Sequence, residues 1–253
     1  YLPATGIVVR FEIPEGPRVD SAVESGSVVG THYDAMLAKV IVHAETREHA
    51  CAKLAEALRR SRIHGVTTNR DLLVRVLQSE DFLAGRVDTD YLDRVDPAEI
   101  GAPLLADERV HLIAAALAAS AHRRATARVQ PGLPSGWRSV PSALERVTYG
   151  EIEIGYAFRR SGLVVHIDGD PVDVHLWFAS ATHVDLEVDA VRRQIDVVLA
   201  GDTTYVDSAL GSSTLIETPR FPEPGTDATP GSLPAAMPGT VIPLAAGAGA
   251  ALS

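Results

Sequence analysis

Lysine chemistry is confined to one end of this chain. Its two lysines are Lys39 and Lys53, so the 200 residues after Lys53 hold none. No lysine-linked prosthetic group can sit in that span, where basic charge rests on arginine. Arg18 is one arginine to weigh: it follows the turn Glu15-Gly16-Pro17 and opens a short strand, a setting that by itself favours no chemistry. A guanidinium stays charged and is rich in donors, which suits it to hold a developing oxyanion. The plainer alternative is a solvated arginine at a strand start. The nine histidines raise the question of a metal, and His166, His175 and His183 fall on successive candidate strands. No pair has the short spacing of a structural zinc site, and the single cysteine, Cys51, is remote. They read as surface or strand-face residues, with no metal site. Gly247-Ala248-Gly249 lacks the Lys-Ser/Thr and the following helix of a phosphate loop.

The elements that must position these groups change character along the chain. Gly6 to Pro14 and Arg18 to Glu24 read as short strands, and the apolar run Leu37 to His43 as a buried strand. Thr46 is placed to cap a helix with Ala50, Leu54, Ala57 and Leu58 on one face, and Cys51 reads as core. Asn69 is placed to cap a second helix, Arg70 to Gln78, with Leu72, Leu73, Val76 and Leu77 inward. This first module ends near Asp96-Pro97.

Leu104 to Arg124 reads as a helix of another kind. Asp107 and Glu108 open it, His122, Arg123 and Arg124 close it, and Val110 to Ala121 is nearly all Ala, Leu and Ile. A helix apolar all round needs protein around it. After the loop Pro131 to Pro141, which holds Trp137, the pattern alternates every two residues. Candidate strands are Arg146 to Arg159 (long enough to bend or split), Leu163 to Asp168, Val172 to Phe178, His183 to Val188, Arg192 to Leu199, Thr203 to Asp207 and Thr214 to Thr218. Asp168-Gly169-Asp170 and Ala200-Gly201-Asp202 are hairpin turns. Short strands after one apolar helix suggest a barrel or strongly curved sheet enclosing it. Phe221 to Ser232 is a Pro/Gly/Thr-rich linker.

Composition narrows the function classes. An apolar fraction of 46% with 22% charged residues is that of a folded globular protein. A net charge of −10 without a basic cluster argues against nucleic-acid binding. No apolar run is long enough to cross a bilayer, so no membrane role is expected. The lone cysteine fits a reducing, cytoplasmic setting. The opening residues, YLPATGIVVRFEIP, have no signal-peptide pattern and resemble the interior of a longer protein.

One stretch is specific. HYDAMLAK (His32 to Lys39) and IHGVTTN (Ile63 to Asn69) bracket a strand and a helix. In order and spacing they resemble the C-terminal part of biotin carboxylase in biotin-dependent acyl-CoA carboxylases. Arg18 lies sixteen positions before Asp34, matching the family arginine that faces the biotin ureido group, so the resemblance implies a catalytic role for Arg18. Asp34 reads as a turn cap and Lys39 as a strand-flanking residue able to pair with a carboxylate. Neither these two nor Tyr33 nor His64 is assigned catalysis. The helix and strands after residue 98 resemble the barrel (BT-type) domain of acyl-CoA carboxylase α subunits, which docks on the carboxyltransferase β subunit. LPSGWR (Leu133 to Arg138) and ETPRFPEP (Glu217 to Pro224) look actinobacterial. The last segment, from Leu233, resembles the start of a biotinyl carrier domain, whose lysine would lie beyond Ser253.

The implied fold class is α+β: a biotin carboxylase C-terminal lobe (1–97), then an antiparallel β-barrel around a central helix (98–220), a linker (221–232) and a truncated carrier domain (233–253). The implied cofactors are biotin, ATP and Mg, with the biotin-bearing lysine and the nucleotide site outside this chain. The implied partners are the carboxyltransferase β subunit, other α subunits and the carrier domain. Such an enzyme uses MgATP and bicarbonate to carboxylate carrier-bound biotin; acetyl-, propionyl- and methylcrotonyl-CoA all remain open as acceptors. The alternative is a non-catalytic assembly or binding module, since the ATP-grasp region and the biotinyl lysine are missing from this stretch; the fragment alone is expected to be inactive.

Overall fold

Two kinds of residue pattern produce two structural units, which meet along the strands near residues 203 to 216. A computed structural model describes residues 4–105, 107–130, 132–133 and 143–220. Trp137, the linker 221–232 and the carrier-like segment 233–253 lie outside the described residues.

The first unit is made of short ribbons and helices. β1 (Gly6–Ile7) pairs with β4 (Val28–Val29), β2 (Arg10–Glu12) with β6 (Arg62–His64), and β3 (Arg18–Ser21) with β5 (Ala38–Ile41), all antiparallel. The two expected N-terminal strands thus break into three. The run expected to be a buried strand gives β5, which is only half-buried. Gly65 follows β6 with φ +96, and a Cβ there would collide with the Ile7 carbonyl oxygen. Only glycine fits so close a backbone approach.

Helix α1 (Arg47–Arg60) starts where expected, with the Thr46 hydroxyl accepting from the His49 amide at 3.3 Å. Its buried face is Cys51, Ala55 and Leu58, joined by Ala57; Ala50 and Leu54 are half-buried at its edge. α2 (Arg70–Gln78) corrects two expectations. Asn69 makes no side-chain cap, and the Thr68 hydroxyl accepts from the Arg70 amide instead. Val74 and Leu77 form the buried stripe, whereas Leu73 is exposed. α3 (Glu80–Leu83) and α4 (Pro97–Ile100) complete the unit. Cys51, Ala55, Leu58, Val74 and Leu77 are its core, flanked by Phe82 and Leu104.

α5 (Arg109–Ala125) is the hub of the second unit. Every residue from Val110 to Ser120 is buried, as an all-round apolar helix demands. It begins later than expected: Asp107 and Glu108 precede it, and Asp107 accepts from the Arg109 amide at 2.9 Å. That bond, outweighing partial burial, holds the Asp107 carboxyl below its ordinary range. His122, Arg123 and Arg124 fall in the last turn, where the dipole favours cations.

Strands cover α5 on both sides. β7 (Glu145–Tyr149), β8 (Ile152–Arg159), β9 (Gly162–Ile167) and β10 (Asp170–Val172) form a four-stranded antiparallel sheet. β11 (Val174–Ala179), β12 (His183–Val188), β13 (Val191–Ala200), β14 (Thr203–Ser208) and β15 (Gly211–Ile216) form a five-stranded one. The long expected strand splits at Gly150, and the strand expected over Val172 to Phe178 breaks at Asp173. Asp168 (φ 50) and Gly169 (φ 91) make the predicted hairpin turn between β9 and β10. Ile113, Leu117, Ile154, Val165, Leu186, Ile195 and Val206 pack into one core, each side chain contributing about 1.5–3 kcal/mol.

Among the described residues these sheets do not close into a barrel. One seam is stitched: Tyr149 bridges Glu217, and the Thr218 amide donates to the Thr148 carbonyl at 2.8 Å. At the other, β9 and β11 run close without pairing. The expected enclosure of a central helix is present; the expected single closed sheet is two sheets.

Candidate functional site

Arg18 opens β3, in register with Ile41 of β5. Its Nε and Nη2 donate to the two carboxylate oxygens of Asp20, each at 2.9 Å. Such a fork fixes the guanidinium plane, yet the Arg18 side chain stays 73% exposed. An exposed pair of this kind adds at most about 1 kcal/mol to stability. Its consequence is positional: a permanent positive charge held outward from a strand at a set angle.

The HYD turn behaves as its residues suggest. Asp34 accepts from the Met36 amide at 3.3 Å, an Asx cap that folds the chain into β5. Tyr33 is exposed. Lys39 is in register with Asp20, the carboxylate that already takes Arg18. The two sequence blocks then meet. Met36 and Leu37 from the first, and Ile63 and Val66 from the second, line one cavity of about 660 Å3, with Arg70 at its wall. This volume is in the range of ligand clefts, and the lining is mainly apolar. Leu73, exposed on the protein surface, is also part of this wall.

The group that residue order did not reveal lies behind that wall. His64, buried on β6, places Nε2 at 2.7 Å from Asp207 of β14, 143 positions away. Arg62 Nε lies 3.5 Å from the same oxygen, and Ser212 donates to the other. The His64 ring stacks on Tyr205 at 4.7 Å. Arg70 donates to Ser212 at 3.0 Å and to the Ser61 carbonyl at 3.2 Å. Burial opposes charge on Asp207; the hydrogen bond and charge of His64, the Ser212 hydroxyl and Arg62 prevail, and its pKa lies below the ordinary value. Next to it in sequence, Ser208 bonds His111 Nε2 at 2.7 Å, and Ser213 bonds His111 Nδ1 at 2.8 Å. Burial pushes this imidazole down to about 4, so it is neutral at physiological pH. The clue to His111 was a polar residue in an otherwise apolar helix, which must find partners. The clue to His64 was weaker, because its partner is distant in sequence.

Among the described residues no group of three His, Cys, Asp or Glu could hold an ion. His175 packs edge-on to Trp177 and His183 bonds Asp196 at 3.1 Å. No helix of the described residues is long and apolar enough to cross a membrane.

Comparison with known proteins places the first part of the chain. Residues 1–94 match the family model of the biotin carboxylase C-terminal domain. The biotin carboxylase of Allochromatium vinosum is 36% identical over 97 residues, covering 38% of this chain and 22% of that protein. Mouse mitochondrial pyruvate carboxylase is 41% identical over 96 residues, covering 37% of this chain and 8% of its own length. The soybean mitochondrial methylcrotonoyl-CoA carboxylase subunit alpha is 35% identical over 95 residues, 37% of this chain and 13% of the relative. The chain therefore spans between 8% and 22% of the length of these relatives. A solved biotin carboxylase domain of Hydrogenobacter thermophilus 2-oxoglutarate carboxylase, bound to MgADP, ADP and bicarbonate, aligns with TM-score 0.37 at 31% identity, over 40% of this chain and 22% of that one. The first 94 residues are thus homologous to the C-terminal domain of biotin carboxylases and of the corresponding part of pyruvate and methylcrotonyl-CoA carboxylases.

Proposed function

We propose that this chain is part of the α subunit of a biotin-dependent acyl-CoA carboxylase of acetyl-, propionyl- or methylcrotonyl-CoA type. The observation that carries this reading is the family match over residues 1–94, which contains both the HYDAMLAK and IHGVTTN blocks. Arg18 is the catalytic contribution of this chain. Carboxylation at the ureido nitrogen requires its deprotonation, which moves negative charge onto the ureido oxygen. A guanidinium held outward by Asp20 would receive that charge without reorganising. The donors described here fit the ureido end of biotin. They do not supply a nucleotide or magnesium site, and neither lysine lies in the carrier-like segment. MgATP and the biotinyl lysine belong, on this reading, to parts of the protein outside this chain.

The helix-and-sheet unit is the docking domain for the carboxyltransferase β subunit. Support comes from its exposed aromatics. A register shift at β11 leaves Trp177 and Phe178 adjacent and about half exposed, with Arg192 over the indole at 4.3 Å. A contiguous exposed apolar patch on a folded domain marks an interaction site, and these two side chains would seed one. Other α subunits and the carrier domain, beginning near residue 233, are further partners. The cytoplasmic setting rests on the single, buried Cys51.

The test is the full-length subunit assayed for bicarbonate-dependent ATP cleavage stimulated by biotin. Stimulation is expected; a well-folded protein without it refutes the assignment. A second reading, a non-catalytic assembly module, is favoured by the absence of lysine after Lys53. It predicts that this chain alone binds the β subunit but neither cleaves ATP nor becomes biotinylated by a biotin ligase.

A further inference from the structure

Charged groups rarely enter a protein interior unless they answer one another. Here they do so across the boundary between the two units. Asp207 is wholly buried on β14, and the groups that face it, Arg62 and His64, stand on β6 of the first unit. Ser212 of β15 completes the carboxylate and is itself bonded to Arg70 at the start of α2. Arg70 also bonds Asp71, whose second oxygen accepts from the Leu104 amide just before α5. The cluster therefore touches β6, α2, the segment entering α5, β14 and β15.

We propose that Arg62, His64, Asp207, Ser212 and Arg70 form a buried latch that makes the two units open and close as one body. The latch does not depend on the functional reading above. Separating the units would leave Asp207 without its Arg62 and His64 partners, or require all of these groups to be solvated together. Opening of one unit is thereby linked to opening of the other. Arg70 lies on the cavity wall, so β15 is one hydrogen bond from the surface where the two sequence blocks meet. Arg62 Nη1, buried with no hydrogen-bond partner among the described residues, shows that this arginine is held inside at some cost.

Cys51 provides the readout, since it is the one cysteine and is 5% exposed in the core of the first unit. A thiol-reactive disulfide reagent labels it only when that unit opens, at a rate set by the opening equilibrium. The perturbation is placed in the other unit. Val184 of β12 is fully buried and separated from β14 by β13. In the whole chain, Val184→Ala is expected to speed Cys51 labelling by about tenfold, as a core truncation should if both units open together. In the Asp207→Asn background the same change is expected to have little effect, because the link is gone. Two results overturn the latch: no effect of Val184→Ala in the otherwise unaltered chain, or an equal effect in both backgrounds. Should Asp207→Asn fail to fold by circular dichroism, Ser212→Ala serves as the weaker cut. Val184→Ala is then expected to lose part of its effect, and an undiminished effect overturns the proposal.

Discussion

His111 makes the stability of this protein acid-sensitive in a window that can be specified. It lies fully buried in α5, with both ring nitrogens on serine hydroxyls of β14 and β15. Burial lowers its folded pKa from 6.5 to about 4. The unfolded chain therefore takes up a proton before the folded one does. The stabilising contribution is complete above 6.5, declines as pH falls from there, and is lost below about 4. At about 1.4 kcal/mol per pH unit, the gap is worth about 3 kcal/mol, a large share of a domain's stability. Asp207 also has a lowered pKa, but its contribution is lost below its ordinary 3.8, so the two windows scarcely overlap. The assay is urea unfolding at pH 4 to 8, comparing the protein with His111→Gln. Glutamine loses one of two hydrogen bonds, costing about 1 kcal/mol at neutral pH, but cannot titrate. The other histidines are common to both proteins and cancel in the difference. The difference in stability is expected to shrink and then reverse in favour of the variant as pH drops towards 4. Parallel pH profiles would refute the reasoning.

Two structural predictions accompany this one. Leu117→Asp puts a carboxylate where the side chain is 1% exposed, and several kcal/mol of destabilisation should unfold the second unit; a near-unchanged thermal melt would show α5 to be peripheral. Gly65→Ala should cost about 1–3 kcal/mol, because φ is +96 and the new Cβ meets the Ile7 oxygen; denaturant unfolding measures it, and an unchanged midpoint would contradict the close approach.

Local physics was readable from the residues, and long-range pairing was not. β12 spans His183 to Val188, as the alternation indicated, because one face must be buried and the other solvated. The Thr46 cap and the Asp168-Gly169 turn are decided within four residues and were equally plain. The start of α5 was placed too early because Asp107 serves the helix from outside it, through the Arg109 amide. The β11 register shift leaves no trace in a two-residue pattern, since Trp177 and Phe178 both suit a strand. At the site, Arg18 and the two blocks were visible as residues, but their common cavity was not. The His64–Asp207 pair was missed entirely, because spacing along the chain says nothing about contacts 143 residues apart.

On the proposed reading, Arg18 faces the biotin ureido group on the wall of a carboxylase site. The most direct measurement is biotin-stimulated, bicarbonate-dependent ATP cleavage by the full-length subunit carrying Arg18→Ala. Removing one donor to a developing oxyanion should reduce the stimulated rate by about a hundredfold or more. Thermal stability should barely change, since the Arg18–Asp20 pair is exposed. Unchanged stimulation in a folded variant would contradict the claim.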